Sequence, residues 1–318
     1  MVGLLGCASA HEDAASAGGA GGNAAVGGAS NENRAGASSL GGAGKASGGD
    51  TAAAGADTAA AGSGTTAAAC AEHPTPQRSQ GTVLALSFAP ALSGKPFVFG
   101  EANALADGSS VVPINLRFYI SAVQLLRSSG EPVAVDVTTA NGEPEPYGVH
   151  LFNAEEDSST TLSVLAPPGD YTGLSFALGI KLACNQQAPA SLDEPLTDTS
   201  QMTWPHTGGF LFFRYEGRNT TAQGAANPAS TIPTRIHMGG SIEKELVPRV
   251  SVSGVFSVPA SGTLERHLTV SMDEIFSGAS ANIDVSDVAV GLLSSDEAIA
   301  GERLRRELPE LHAFVLAP

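Results

Sequence analysis

The chain has 318 residues and a formal net charge of −16, from 32 acidic and 16 basic side chains. This acidity argues against a nucleic-acid-binding protein, because affinity for the phosphate backbone requires a basic surface. No run of residues reaches the roughly 18 consecutive apolar positions that span a bilayer, so no transmembrane helix is expected. The acidic residues are spread over predicted loops, which is typical of a soluble, solvated surface.

The N-terminal sequence Leu4-Leu5-Gly6-Cys7 resembles the bacterial lipobox, in which the cysteine becomes the lipidated first residue of the mature protein. A signal peptide carries a basic region and about 7–15 apolar residues, whereas only six residues precede Cys7, so we expect a start codon further upstream. The alternative is a chance cysteine after two leucines. We predict an exported lipoprotein of the periplasm or outer-membrane surface that meets the membrane only through its lipid.

Residues 8 to 69 are almost entirely small or polar, with no Phe, Tyr or Trp. Such a segment buries too little apolar surface to offset the cost of ordering the backbone, roughly 1–2 kcal/mol per residue. We therefore predict three parts: a disordered tether over 1–78, a folded domain over 79–292 and a helical tail over 293–318.

Short apolar runs separated by Gly and Pro turns follow one another through the folded part. The predicted strands are 82–88, 97–100, 113–126, 132–137, 149–153, 162–166, 174–180, 210–217, 234–242, 249–257 and 264–272. Nine or more short strands without alternating helices predict an all-β fold, a β-sandwich. A helix is predicted over about 294–311, and the long loop 185–201 is expected to contain a helical turn.

The run 113–126 is the best amphipathic strand. Its apolar positions share one face by period two and are Ile114, Leu116, Phe118 and Ile120. The polar side chains at 115, 117, 119 and 121 fall on the other face. We expect the first set to point into the core.

Cys70 and Cys184 are the cysteines of the folding part, and their spacing matches no C-x-x-C metal or redox motif. In an oxidising compartment they could pair and tie the end of the tether to the loop before Trp204. In a cytosolic protein they would be two unrelated thiols.

Histidine and soft side chains gather at two predicted strands. The only tryptophan, Trp204, is followed by His206 just before one strand, and His237 is followed by Met238 in another. His150 begins a third strand. Imidazole suits copper as it suits zinc and iron, and thioether sulfur favours Cu(I). These residues predict a copper site, and the alternative is a set of ordinary, partly buried histidines.

Several stretches resemble one known family in the order in which they occur. They are Leu86–Phe88, Leu116–Leu125, Gly169–Ile180, Met202–Gly217 and His237–Gly240. Together they are similar to the MbnP-like copper-binding proteins, also called metallo-mystery pair proteins, over about residues 80–290. The Phe-Tyr-Ile-Ser strand and the Met-x-Trp segment are the specific parts.

The resemblance implies a periplasmic or surface β-sandwich that binds one copper ion. It also implies a di-haem peroxidase-like partner that oxidises one tryptophan to kynurenine, whose amine then contributes to metal binding. Trp204 matches that tryptophan and His237 the histidine of the family's His-x-Gly segment. His206 stands where many members have a second aromatic residue, so its assignment rests on its chemistry. The four-cysteine pattern of some members is reduced to Cys70 and Cys184.

We therefore predict a protein of copper handling, storage or delivery. We predict no catalysis, because no general base or nucleophile adjoins the candidate ligands. One alternative is a tethered structural or adhesive β-sandwich with no metal, in which the histidines are core or surface residues. A metal-dependent hydrolase or oxidase is less favoured for want of an adjoining acid–base residue.

Overall fold

The computed structural model describes residue 70 and the ranges 81–105, 108–204, 209–220, 231–240, 245–281 and 296–317. Apart from residue 70, the predicted tether with Cys7 lies outside the described residues, as does the segment 205–208 with His206. No helix within the described ranges combines the length and apolarity needed to cross a membrane.

The described residues form fourteen strands and three α-helices. The strands are β1 (Thr82–Leu92), β2 (Lys95–Pro96), β3 (Asn103–Ala104), β4 (Ser110–Arg127), β5 (Pro132–Ala134), β6 (Asp136–Thr138), β7 (Val149–Asn153), β8 (Thr161–Ala166), β9 (Gly169–Leu178), β10 (Leu211–Thr220), β11 (Thr231–Gly239), β12 (Arg249–Val258), β13 (Thr263–Ser271) and β14 (Phe314–Leu316). The helices are α1 (Leu182–Asn185), α2 (Met272–Ser280) and α3 (Asp296–Glu307). Short 3-10 turns lie at Asp157–Ser159, Pro189–Ser191 and Asp198–Ser200.

Two sheets pack face to face. The first has the order β14-β13-β1-β8-β6, with β2 beside β1, and the second has the order β11-β10-β4-β9-β12, with β3, β5 and β7 beside β4. Phe88 of the first sheet lies 6.0–6.3 Å, between ring centroids, from three phenylalanines of the second, Phe118, Phe152 and Phe176. The prediction of an all-β sandwich is confirmed.

Strand β4 is the centre of the second sheet. Phe118 pairs with Phe213 of β10 and also with Phe152 of β7. A strand has only two hydrogen-bonding edges, so β10 and β7 must lie on opposite sides of β4. This separates the neighbourhood of β7 from that of β10 and β11.

The predicted inward position of Ile114 is wrong. Leu116, Phe118 and Ile120 are fully buried, but the side chain of Ile114 is 45% exposed. Glu216 pairs with Asn115 and the next residue, Gly217, pairs with Pro113, so Ile114 is the extra residue of a β-bulge. A bulge shifts the alternation by one residue, which a strict period of two cannot foresee.

The C-terminal residues belong to the sandwich. Helix α3 packs on β11, and β14 pairs with β13 as an added strand of the first sheet. Helix α2 was not predicted, although the sequence carries a capping signal. The hydroxyl of Ser271 accepts a hydrogen bond from the backbone of Glu274, three residues later, as an N-cap residue does.

Cys70 and Cys184 form a disulfide bridge, with their Cα atoms 4.6 Å apart. This is the pairing expected for an oxidising compartment. The next residue, Asn185, is buried and its side-chain oxygen accepts a hydrogen bond from the backbone N–H of Phe210, at 2.7 Å. The bridge therefore lies beside the segment that leads from Trp204 into β10.

Candidate metal centre around Trp204 and His237

The site lies on the outer face of the second sheet, where β4, β10 and β11 run side by side. Arg214 of β10 is paired with His237 of β11, and Glu216 is paired with Arg235 on one side and Asn115 on the other. Alternate residues of a strand share a face, so these five side chains project from the same surface of the sheet. The register brings them together from three distant parts of the chain.

His237 contacts a carboxylate through its Nε2 atom. That atom lies 3.0 Å from Oε1 of Glu216, and the His237 side chain is only 12% exposed. Glu216 also accepts hydrogen bonds from Nε of Arg214, at 3.3 Å, and from the Asn115 side-chain amide, at 3.1 Å. The carboxylate is therefore held by a guanidinium, an amide and an imidazole together.

Helix α3 brings a second carboxylate to the other side of the same ring. Oε1 of Glu297 lies 3.8 Å from Nδ1 of His237, and the other Glu297 oxygen lies 3.6 Å from the guanidinium of Arg235. The helix approaches β11 closely because its contact residue is Gly301. A Cβ atom at Gly301 would overlap the carbonyl group of His237.

The indole of Trp204 completes the described cluster. Its ring centroid lies 6.1 Å from that of His237, with the two rings perpendicular. The ring lies over Gly239, where an added Cβ would be 3.6 Å from Cε3 of Trp204. The Trp204 backbone N–H donates to the carbonyl of Gly209, at 3.0 Å. The indole is partly buried and packs against the core.

The electrostatics of the cluster favour a neutral imidazole beside a charged carboxylate. Burial lowers the pKa of His237 below its ordinary value, against the opposing effect of the Glu216 and Glu297 carboxylates. Burial also acts to raise the pKa of Glu216, but Arg214 and the other donors hold it below its ordinary value. A neutral imidazole is the form that binds metals.

Met238 lies on the other side of its strand. Neighbouring strand residues point to opposite faces, and Met238 is buried in the core opposite Phe213 while His237 points outward. Met202 is likewise fully buried. The structure thus separates the Met238 sulfur from the His237 ring, although the two residues are adjacent in sequence.

His150 is also placed apart from the cluster. It lies on β7, and three strand spacings of about 4.8 Å separate β7 from β11, since β10 and β4 lie between them. Nε2 of His150 lies 2.8 Å from the carbonyl oxygen of Ser159. Burial lowers its pKa to about 4. The structure does not bring His150 to Trp204 and His237.

Among the described residues, the cluster offers one imidazole as a candidate metal ligand. The carboxylate that the structure places beside Nδ1 of His237 is that of Glu297, and at 3.8 Å it is too far for a hydrogen bond; imidazole nitrogen is a ligand for copper as for zinc, iron and nickel. No three His, Cys, Asp or Glu side chains within the described ranges are grouped so as to hold a metal ion. His206, two residues after Trp204, lies outside the described residues and stays a prediction.

Our sequence reasoning missed four polar residues of this cluster: Asn115, Arg214, Glu216 and Glu297. Arg214 and Glu216 stand two residues apart in a predicted strand of otherwise buried aromatic residues. That period of two was the available signal that both face the same side. The sequence near Glu297 predicted a helix but carried no signal for the strand on which it packs.

Comparison with known proteins identifies a family model and a related structure. The model of the MbnP family matches residues 81–294. The solved structure of MbnP from Methylosinus trichosporium is similar with 20% sequence identity, covering 71% of this chain and 88% of that one, at a TM-score of 0.46. No curated protein matches this chain.

Proposed function

This chain belongs to the MbnP family, whose model matches about two thirds of its length, and on that premise we propose that it binds copper for handling, storage or delivery. The family relation supports a copper-related role. The observation that carries the proposal for this chain is the arrangement of His237 and Trp204. A largely buried imidazole with one nitrogen committed to a carboxylate lies beside the only tryptophan of the sequence, with the two rings perpendicular.

We assign the metal-binding role to His237 and to position 204, with His206 as the predicted second imidazole. Copper bound there would supply a redox-active centre. Two or three nitrogen donors suit copper, and its soft Cu(I) form accepts the same imidazoles. Met238 and His150, which the structure places elsewhere, are not part of this assignment.

The modification of Trp204 is the finer part of the proposal. A di-haem peroxidase-like partner would use hydrogen peroxide as the oxidant to cleave the C2–C3 bond of the indole, giving N-formylkynurenine and water. Hydrolysis of the formyl amide then releases formate and leaves kynurenine with its aryl amine. The indole and the His237 ring lie 6.1 Å apart between centroids, so the amine would arise close to an imidazole already held in place. Trp204 is partly buried, which supports attack on one defined edge of the ring.

We propose that the protein works outside the cytoplasm, tethered through lipidated Cys7. The disulfide between Cys70 and Cys184 supports an oxidising compartment, in which such bridges persist. We also propose binding rather than catalysis. Each described ionisable group around His237 is engaged with a neighbour: Glu216 with three donors and Glu297 with Arg235.

The test is expression of the full chain with and without a di-haem peroxidase-like partner. We expect about one copper per protein after co-expression, and a mass change confined to the peptide that contains position 204. The matched control is Trp204→Phe, which keeps an aromatic ring but has no indole to cleave. An unmodified Trp204, together with copper affinity weaker than about micromolar, would overturn the proposal and favour a metal-free structural sandwich.

A further inference from the structure

We propose that Glu216 is a positioning residue for His237: it fixes the ring in one orientation and one tautomer, and leaves Nδ1 as the nitrogen that meets a metal. The inference rests on the proposed function and deepens it. Glu216 itself is not assigned as a ligand. Its role is exerted through the imidazole that it contacts.

The tautomer follows from hydrogen-bonding chemistry. An ionised carboxylate has only acceptor sites, so the short contact between Glu216 Oε1 and His237 Nε2 requires the ring to donate from Nε2. In a neutral imidazole the other nitrogen then carries the free lone pair. Histidine ligands of metals generally donate their second ring N–H to a carboxylate or carbonyl in this way, which fixes the ring.

Glu216 can hold His237 because Glu216 itself is held. Arg214 donates to Oε1 of Glu216 from two of its nitrogens, at 3.1 and 3.3 Å, and Asn115 donates to the other oxygen. The remaining terminal nitrogen of Arg214 donates to the backbone carbonyl of Gln201, at 2.7 Å. Gln201 lies three residues before Trp204, so one arginine links the orientation of His237 to the loop that carries the indole.

The two carboxylates beside the ring differ in what they can do. Glu216 is within hydrogen-bonding distance of Nε2, whereas the 3.8 Å between Glu297 and Nδ1 is too long for a hydrogen bond. Only Glu216 can therefore set the tautomer. Replacement of Glu297 by glutamine provides a control in which a carboxylate is lost beside the same ring but on its other nitrogen.

The first test uses the metal-free protein and nitrogen NMR of the His237 ring. We expect the wild-type ring to be protonated at Nε2, and Glu216→Ala to populate both tautomers. Glu297→Gln should leave the wild-type pattern unchanged. A wild-type ring protonated at Nδ1, or an unchanged pattern in Glu216→Ala, would overturn the inference.

Glu216→Gln keeps the test decisive even where the alanine variant unfolds. The glutamine oxygen can still accept from His237 and Arg214, and once the Asn115 amide flips, the glutamine amide can donate to Oδ1 of Asn115, a buried atom with no hydrogen-bond partner among the described residues. We therefore expect this variant to fold and to retain the Nε2–H tautomer. A glutamine variant that folds with the Nδ1–H tautomer would contradict the assigned geometry.

The second test measures copper affinity by competition with a chelator, with copper as the probe. Loss of such an outer partner weakens metal binding by about 10–100-fold, so we expect that loss for Glu216→Ala and a change within about threefold for Glu216→Gln, which keeps the hydrogen bond but not the charge. Equal losses in both variants would show a general effect of charge and overturn positioning. Should the wild-type protein retain no copper, the proposed function fails, and the role of Glu216 toward a metal ligand fails with it.

Discussion

Two largely buried histidines on opposite sides of β4 have similar hydrogen bonds and different surroundings. His150 and His237 each engage Nε2 with an oxygen, at 2.8 and 3.0 Å respectively. The partner of His150 is a backbone carbonyl, that of Ser159, which is fixed by its own 3-10 turn. The partner of His237 is a carboxylate, Glu216, with an aromatic ring standing beside it.

The two oriented imidazoles differ in the side chains that surround them. His150 lines a cleft of about 490 Å³, and its neighbours there include Arg117, Glu145 and Glu194. Arg117 is committed to the Glu155 carboxylate and the Ser200 carbonyl, at 2.7 and 2.9 Å. Among the described residues, only the His237 side contains Trp204, the proposed precursor of an amine that would bind copper.

The largest expected effect separates the two histidines by copper binding. We expect His237→Ala to lower copper affinity by about 100-fold or more, because a ligand is removed, and His150→Ala to change it less than about threefold. A chelator competition assay on both variants measures this difference. An equal loss of copper affinity in both variants, or a larger loss in His150→Ala, would contradict the assignment of copper to the His237 side of β4.

The second prediction concerns pH. Burial lowers the pKa of folded His150 to about 4, from its ordinary value of 6.5. Between these two pH values the His150 side chain is protonated in the unfolded chain and neutral in the folded protein, so the unfolded chain binds more protons. The stabilisation is present above about pH 6.5 and is lost as pH falls toward 4. From about pH 7 to about pH 5 we expect the wild type to lose about 2 kcal/mol more of its free energy of unfolding than His150→Gln loses.

Denaturant unfolding at both pH values measures the change, and glutamine can still donate to the Ser159 carbonyl. Titration of His237 is common to both proteins and cancels in the difference. Parallel pH profiles for wild type and variant would contradict the burial of a neutral His150.

The smallest expected effect concerns helix α3, which packs on β11 beside His237. Gly301→Ala places a methyl group against the His237 carbonyl, and we expect a net loss of about 1–2 kcal/mol despite the gain in helix propensity. The control Ala300→Gly, one position earlier, measures how an exchange between alanine and glycine in this helix changes the free energy of unfolding through helix propensity. Hydrogen exchange should quicken at the amides of β11 and not at those of β7; a uniform change would argue against a local contact.

Much of the fold follows from patterns along the chain. Alternating apolar residues predicted most of the long strands, and Leu116, Phe118 and Ile120 are buried as expected. Arg117 and Tyr119, predicted on the opposite, polar face of the same strand, are buried as well. The failures have local causes. A bulge turned Ile114 outward, and α2 was overlooked because its capping serine closes a strand-like run.

The candidate site was predicted in part. Trp204 and His237 were singled out by rarity and resemblance, and the structure brings their rings together. Met238 was included for its nearness in sequence, which in a strand places it on the opposite face. His150 was included with no knowledge of which edge of β4 its strand occupies.

The sequence by itself determined the class of fold and two residues of the site, because period-two hydrophobicity and a unique tryptophan are properties of local sequence. Only the tertiary structure decided which side chains surround His237. Asn115, Glu216 and Glu297 come from a central strand, its neighbour and a C-terminal helix, and they meet through strand register and through the small size of Gly301. Contacts between distant segments depend on those pairings, and no spacing along the chain encodes them.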